Sequence, residues 1–90
     1  MSKPKRVVLK SGAVRYEIDS PSTASQMTRY RPAAGLYSRL RVIVYAEGDA
    51  TKIEYDLPSS LLGQLSDYRV TALARRLDAG LLSVLIGATE

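Results

Sequence analysis

Between Leu36 and Gly63 the chain alternates in a period of two. Leu40, Val42, Val44 and Ala46 share one parity, and Arg41, Ile43, Tyr45 and Glu47 share the other, so a strand here has one apolar face and one mixed face. The mixed face suggests a central strand partly covered on its second side, for instance by a partner subunit. Glu47-Gly48-Asp49-Ala50 is a turn, with Gly48 able to take positive φ, and Thr51–Tyr55 alternates again, so the two runs form a β-hairpin. Pro58 cannot donate to a ladder and ends the second strand by Leu57. Ser59 or Ser60 is placed to cap a short turn through Leu61-Leu62 before Gly63.

From Ser66 or Asp67 to about Ile86 the period changes. Val70, Leu73, Ala74, Leu77, Leu81, Val84 and Leu85 follow helical spacing and predict one long amphipathic helix, with Asp67 near its N-cap and Gly87 as its stop. Gly80 costs about 1 kcal/mol relative to Ala and marks a place to bend or to meet another backbone. The apolar stripe is expected to lie on the apolar face of the sheet. Upstream, Val7–Leu9 and Ala13–Ile18 read as a second hairpin around Ser11-Gly12, in a two-residue loop. Ser20-Pro21 resembles a helix start, but Ser22–Tyr30 is rich in Ser and Thr, so one or two helical turns at most, or an ordered loop, are expected. Ala33-Ala34-Gly35 is expected to let the chain pass close to other backbone. The predicted class is α+β: a small antiparallel β-sheet with a long C-terminal helix packed on one face, in a single domain over residues 1–90, with residues 1–6 a flexible terminus.

Composition narrows the chemistry. Ninety residues bury only about 60–65% of their extended surface, so help is needed, and with no Cys and no His it comes from neither disulfides nor structural zinc. Dimerisation is the remaining route, and a homodimer is expected. The lack of cysteine suits the cytoplasm, where the chain is placed. Val7–Leu9 is too short for a signal-peptide core and Leu81–Ala88 too short to span a bilayer, so no membrane role is expected.

The net charge of +4 is split: nine Lys/Arg and two acids over residues 1–45, four Lys/Arg and seven acids over residues 46–90. Such asymmetry favours an anionic partner, but mutual neutralisation of the halves is the preferred account. Arg29-Tyr30-Arg31 is a weak nucleic-acid signal, since one aromatic between two arginines also arises when the ring packs and the cations stay solvated. A serine nucleophile at Ser59 or Ser60 lacks a histidine base, and no nucleophile elbow or phosphate-binding glycine loop is present. Glu47 with Asp49 and Glu54 with Asp56 are carboxylate pairs without the further oxygen ligands a cation needs. No catalytic residue, metal site or cofactor is assigned.

LRVIVYAEGDATKIEYDLPSSLLGQ, followed by VTALARRLDAGLLSVL, resembles the bacterial domain-of-unknown-function family 302; with YEIDSPSTASQMTRYRPAAGLYSRL upstream, the resemblance runs from roughly Tyr16 to Leu85. It rests on the Leu-Arg-Val-x-Val-Tyr strand, the Tyr-Asp-x-Pro-Ser-Ser corner and the Leu-Asp helix, in that order. It implies an α+β sandwich, a curved antiparallel sheet with helices on one face, often dimeric. The family opens with a strand and a longer amphipathic helix where this sequence offers the Lys5–Ile18 hairpin, and Ser38-Arg39 stands where a Pro is common. A sheet face left uncovered for want of that helix favours self-association. The resemblance carries no activity with it.

The leading reading is a non-enzymatic, self-associating interaction domain. The alternative is binding of an anionic small molecule or nucleic acid through Arg29, Arg31, Arg39 and Arg41 with Tyr37 and Tyr45. An enzyme using Glu54, Asp56 or a tyrosine ranks third. If a ligand site exists, Arg41, Tyr45, Tyr55 and Ser59 are its first candidates because the resemblance is densest there, with Arg39 and Tyr37 beside them.

Overall fold

Four antiparallel strands lie side by side in chain order: β1 (Lys5–Val8), β2 (Val14–Ile18), β3 (Leu40–Glu47) and β4 (Ala50–Tyr55). Three helices complete the computed structural model, which describes residues 3–89: α1 (Pro21–Tyr30), α2 (Pro58–Gly63) and α3 (Tyr68–Thr89), with a 3-10 turn at Pro32–Leu36 after α1. This is the expected α+β architecture. Met1 and Ser2 of the expected flexible terminus lie outside the described residues, whereas Lys5 and Arg6 are strand residues.

Both hairpins follow from their turns. Beyond the Val8–Val14 pair the Leu9 amide donates to the Ala13 carbonyl (2.9 Å), which leaves Lys10, Ser11 and Gly12 between them; the Gly12 amide donates to the Leu9 carbonyl (2.9 Å), and Gly12 takes φ +90°. The loop is therefore three residues, a turn closed by a left-handed glycine, rather than the expected two. At the second hairpin Glu47 pairs with Ala50, and of the two loop residues only Gly48 has positive φ, +60°. That is the pattern of a type II′ turn, whose twist matches the flanking strands and which needs glycine at its first position.

The register sorts the faces. Tyr16 opposite Val42, Ile18 opposite Leu40, and Val44 opposite both Val14 and Ile53 point to the helices. Arg15, Glu17, Arg41, Ile43, Tyr45, Lys52 and Glu54 take the other face. No described element of the chain itself covers that face, where Ile43 is half-buried among its cross-strand neighbours Arg15 and Glu54.

Ile18, Leu40 and Val42 form the sheet's share of the core, and Val70, Leu73, Ala74, Leu77 and Leu81 the share of α3. The predicted stripe is thus the one that is buried, up to Leu81; beyond it Val84 is 37% exposed. Gly87 does not stop the helix, which runs on to Thr89: a glycine costs about 1 kcal/mol but leaves the hydrogen-bond ladder intact.

The other helices are held from outside themselves. α1 has ten residues, more than the Ser/Thr-rich sequence suggested, because Met27 is completely buried and anchors it on the core. Ser20 does not cap it through its side chain; Pro21, with its preset φ, opens the helix instead. Gly35 makes no close backbone approach, its nearest neighbour being the Thr28 methyl, and Ala34 is the small residue that is buried. In α2 neither Ser59 nor Ser60 caps. Leu57 holds the cap position, and the Ser59 amide donates instead to Asp78 Oδ1 of α3 (2.9 Å). Between α2 and α3 the chain turns through Ser66 at φ +53°, and Arg31 Nη1 donates to the adjacent Leu65 carbonyl.

Two stability changes follow. Met27→Ala should cost about 2–5 kcal/mol in urea unfolding, as for other fully buried side chains; a loss below about 0.5 kcal/mol, the scale of a surface change, would show α1 to be loosely held. Asp78→Ala should cost about 0.5–2 kcal/mol, the scale of a lost N-cap.

Candidate functional site

Arg39 sits in the bend before β3, where its Nε donates to Asp19 Oδ1 (3.0 Å) and its Nη2 to Asp19 Oδ2 (3.4 Å). Asp19 follows the last residue of β2, so the pair ties two strand ends together at the Ile18–Leu40 rung. The hydrogen bond to Asp19, reinforced by the charges of Asp19 and Glu17, raises the guanidinium pKa still further. Arg41 lies opposite Glu17 on the open face. Together with Arg39, Tyr37, Asp56, Pro58 and Leu61 it lines a crevice of about 300 Å³. A shallower hollow of about 490 Å³ joins Arg41 and Asp56 to Ile43, Glu54 and Tyr55.

The other candidates are not gathered there. Tyr45 lines a separate hollow beside Ser11 and Gly12, and its hydroxyl donates to Glu54 Oε1 (2.7 Å). That hydrogen bond, with partial burial and the Glu54 charge, raises the Tyr45 pKa above its ordinary 10.0, which keeps the phenol protonated rather than poised as a base. Ser59 is engaged through its amide in the first turn of α2. The structure therefore brings Arg39, Arg41 and Tyr37 into one crevice, and Arg41 and Tyr55 into the next, but leaves Tyr45 and Ser59 apart. Asp56 lies in both crevices and offsets their positive charge.

The Arg29-Tyr30-Arg31 segment is likewise occupied. The Arg69 guanidinium stacks 4.3 Å from the Tyr30 ring centroid. Arg69 Nη2 also donates to Asp67 Oδ2 (2.9 Å), while Asp67 Oδ1 accepts the Arg69 amide (2.9 Å) and so caps α3 as expected. The Arg69 side chain, above all, holds the Asp67 carboxyl down, from 3.8 to about 2. The ion pairs Arg15–Glu17, Arg39–Asp19 and Arg69–Asp67 each join residues of the same half of the chain. Among the described residues no three His, Cys, Asp or Glu cluster as metal ligands, and no helix is long and apolar enough to cross a membrane.

A different feature stands out that the sequence did not announce. Between the sheet and the last turns of α3 lies a groove of about 390 Å³, lined chiefly by Tyr16, Val42, Val44, Ile53, Val84 and Leu85. Helical periodicity marks Val84 and Leu85 as apolar-face residues, but it cannot say where α2 and the sheet stop covering that face.

Residues 8–87 match the family described as Domain of unknown function DUF302. The chain belongs to that family. This DUF302 chain is similar in fold to a solved structure, "Crystal structure of uncharacterized conserved protein DUF302 from Bacillus stearothermophilus", with a TM-score of 0.73 and 24% identity. The match covers 80% of this DUF302 chain and 56% of the other, so the chain spans little more than half of that relative's length. None of the curated proteins matches it.

The depressed Asp67 pKa gives a pH-dependent prediction. A carboxyl whose pKa falls on folding stabilises the fold above its unfolded value of 3.8, and that contribution is lost as pH drops toward about 2. Asp67→Ala should therefore lower the urea midpoint at neutral pH, and the gap from wild type should close across that acid window. A gap constant with pH would contradict the assignment.

Proposed function

We propose that this chain is a non-enzymatic interaction domain that self-associates as a homodimer, and that the groove under the end of α3 is its contact surface. One observation carries this reading: the groove has apolar walls, and Ile53 at 38% and Val84 at 37% exposure stand at its mouth. Apolar side chains so placed gain by meeting a partner, at about 25 cal/mol for each Å² removed from water. The polar candidates point the same way, because Arg39, Tyr45, Ser59 and Tyr30 are engaged in the fold's own contacts. A chain without cysteine suits the reducing cytoplasm as its place of work.

A second reading, capture of a small anion or of nucleic acid, has one geometric point behind it: Arg39, Arg41 and Tyr37 share a crevice. Asp19 and Asp56 oppose it there. Binding to a mixed polyanion that weakens steeply with salt would favour this second reading.

Sedimentation equilibrium tests the first. Wild type should pass from monomer to dimer with rising concentration, and Ile53→Asp should raise the dissociation constant by about tenfold or more, the cost of one charge at an apolar contact. Circular dichroism confirms the variant's fold. A chain that stays monomeric throughout, or a variant that associates like wild type, would overturn the reading.

A further inference from the structure

Arg41 and Asp56 are the two residues that line both hollows at the start of β3. The register that pairs Val42 with Tyr55 sets them across from one another, one position further along. They nevertheless do not pair. Among the described residues neither side chain has a hydrogen-bond or ion-pair partner, whereas the charges around them are committed, Arg39 to Asp19 and Glu17 to Arg15. The fold thus holds a guanidinium beside a carboxylate and uses neither.

Charge decides what can enter the crevice of about 300 Å³. Its cations Arg39 and Arg41 are balanced by Asp19 and Asp56. A bare anion that reaches Arg41 also meets Asp56, and a bare cation that reaches Asp56 also meets Arg41, so each loses by repulsion part of what it gains. A molecule that carries both charges satisfies both groups. The other walls are apolar or aromatic: Tyr37 and Leu61 are half-buried, and Leu36 is 75% exposed. An apolar group laid against Leu36 takes both out of water. The volume equals about ten waters at roughly 30 Å³ each, which suits a molecule of about nine or ten non-hydrogen atoms.

We propose that this crevice binds a free α-amino acid with a medium-sized apolar side chain, of the class of leucine or methionine. The ligand carboxylate accepts from the Arg41 guanidinium, its ammonium donates to the Asp56 carboxylate, and its side chain lies against Leu36, Tyr37 and Leu61. The zwitterion removes the objection that Asp56 raises against a simple anion. The site is independent of self-association, because the crevice shares no lining residue with the groove under α3.

Titration followed by amide chemical shifts tests this with leucine and three analogues, each lacking one part of it. Wild type should bind leucine at neutral pH with a dissociation constant of about 1 mM or below. Leucinamide lacks the carboxylate, 4-methylpentanoate the ammonium and glycine the apolar side chain, and each should bind about tenfold or more weakly. Arg41→Gln should weaken leucine about tenfold and leave leucinamide unchanged. Asp56→Asn should weaken leucine about tenfold and leave 4-methylpentanoate no weaker. Absence of any shift at about 10 mM leucine overturns the proposal. So does equal binding of leucine and 4-methylpentanoate, which would leave the crevice a simple anion site. Leucine binding that neither Arg41→Gln nor Asp56→Asn weakens would lie elsewhere and also overturns it. A chain that binds leucine but sediments as a monomer overturns self-association alone; a dimer that ignores leucine overturns this site alone.

Discussion

The fold depends on burying one side of a four-stranded sheet, and α3 does most of that work. Ile18, Leu40 and Val42 are closed beneath Val70, Leu73, Ala74, Leu77 and Leu81, and each large side chain so buried contributes about 1.5–3 kcal/mol. The smaller elements act on this seam. Met27 brings α1 onto it, Asp78 fixes α2 to it, and Arg31 ties the α2–α3 turn back toward α1. Leu81 is the last fully buried residue of α3; beyond it Leu85 is only partly buried, while the helix continues. The groove opens along these last turns.

The same economy governs the charges. Asp19 binds Arg39, one of the arginines offered as a ligand contact, Glu54 binds Tyr45, one of the candidate tyrosines, and Arg69 covers Tyr30, the ring between the two arginines of the weak nucleic-acid signal. An arginine- and tyrosine-rich segment presents such residues to a ligand only if the fold leaves them unengaged. Arg41 comes nearest to that condition, and Asp56 lies beside it.

Strand parity was legible in the sequence, because period two survives in Leu40–Glu47 and Thr51–Tyr55 whatever packs on them. So was the buried stripe of α3 up to Leu81 and its cap at Asp67. α1 was not legible, since one fully buried methionine supplies through tertiary contact what Ser and Thr lack in propensity. The cap of α2 comes from a residue 19 positions away, a distance no local rule reaches, and the local serines drew attention from it. Of the candidate residues, Arg39, Arg41 and Tyr37 share a crevice while Tyr45 and Ser59 lie apart, and their acidic neighbours could not be read from the sequence. It also missed the groove, because the periodicity of a helix is blind to what lies beneath each of its turns.

The central claim is that α3 lives in two environments, sealed against the sheet up to Leu81 and bordering an open apolar groove, the proposed contact surface, beyond it. Amide hydrogen exchange along α3, measured at low and high protein concentration, tests this directly. The account predicts strong protection through Leu81 at both concentrations, and protection over residues 82–87 that is weaker in dilute solution and rises with concentration. Uniform protection along the whole helix, unchanged by concentration, would contradict it.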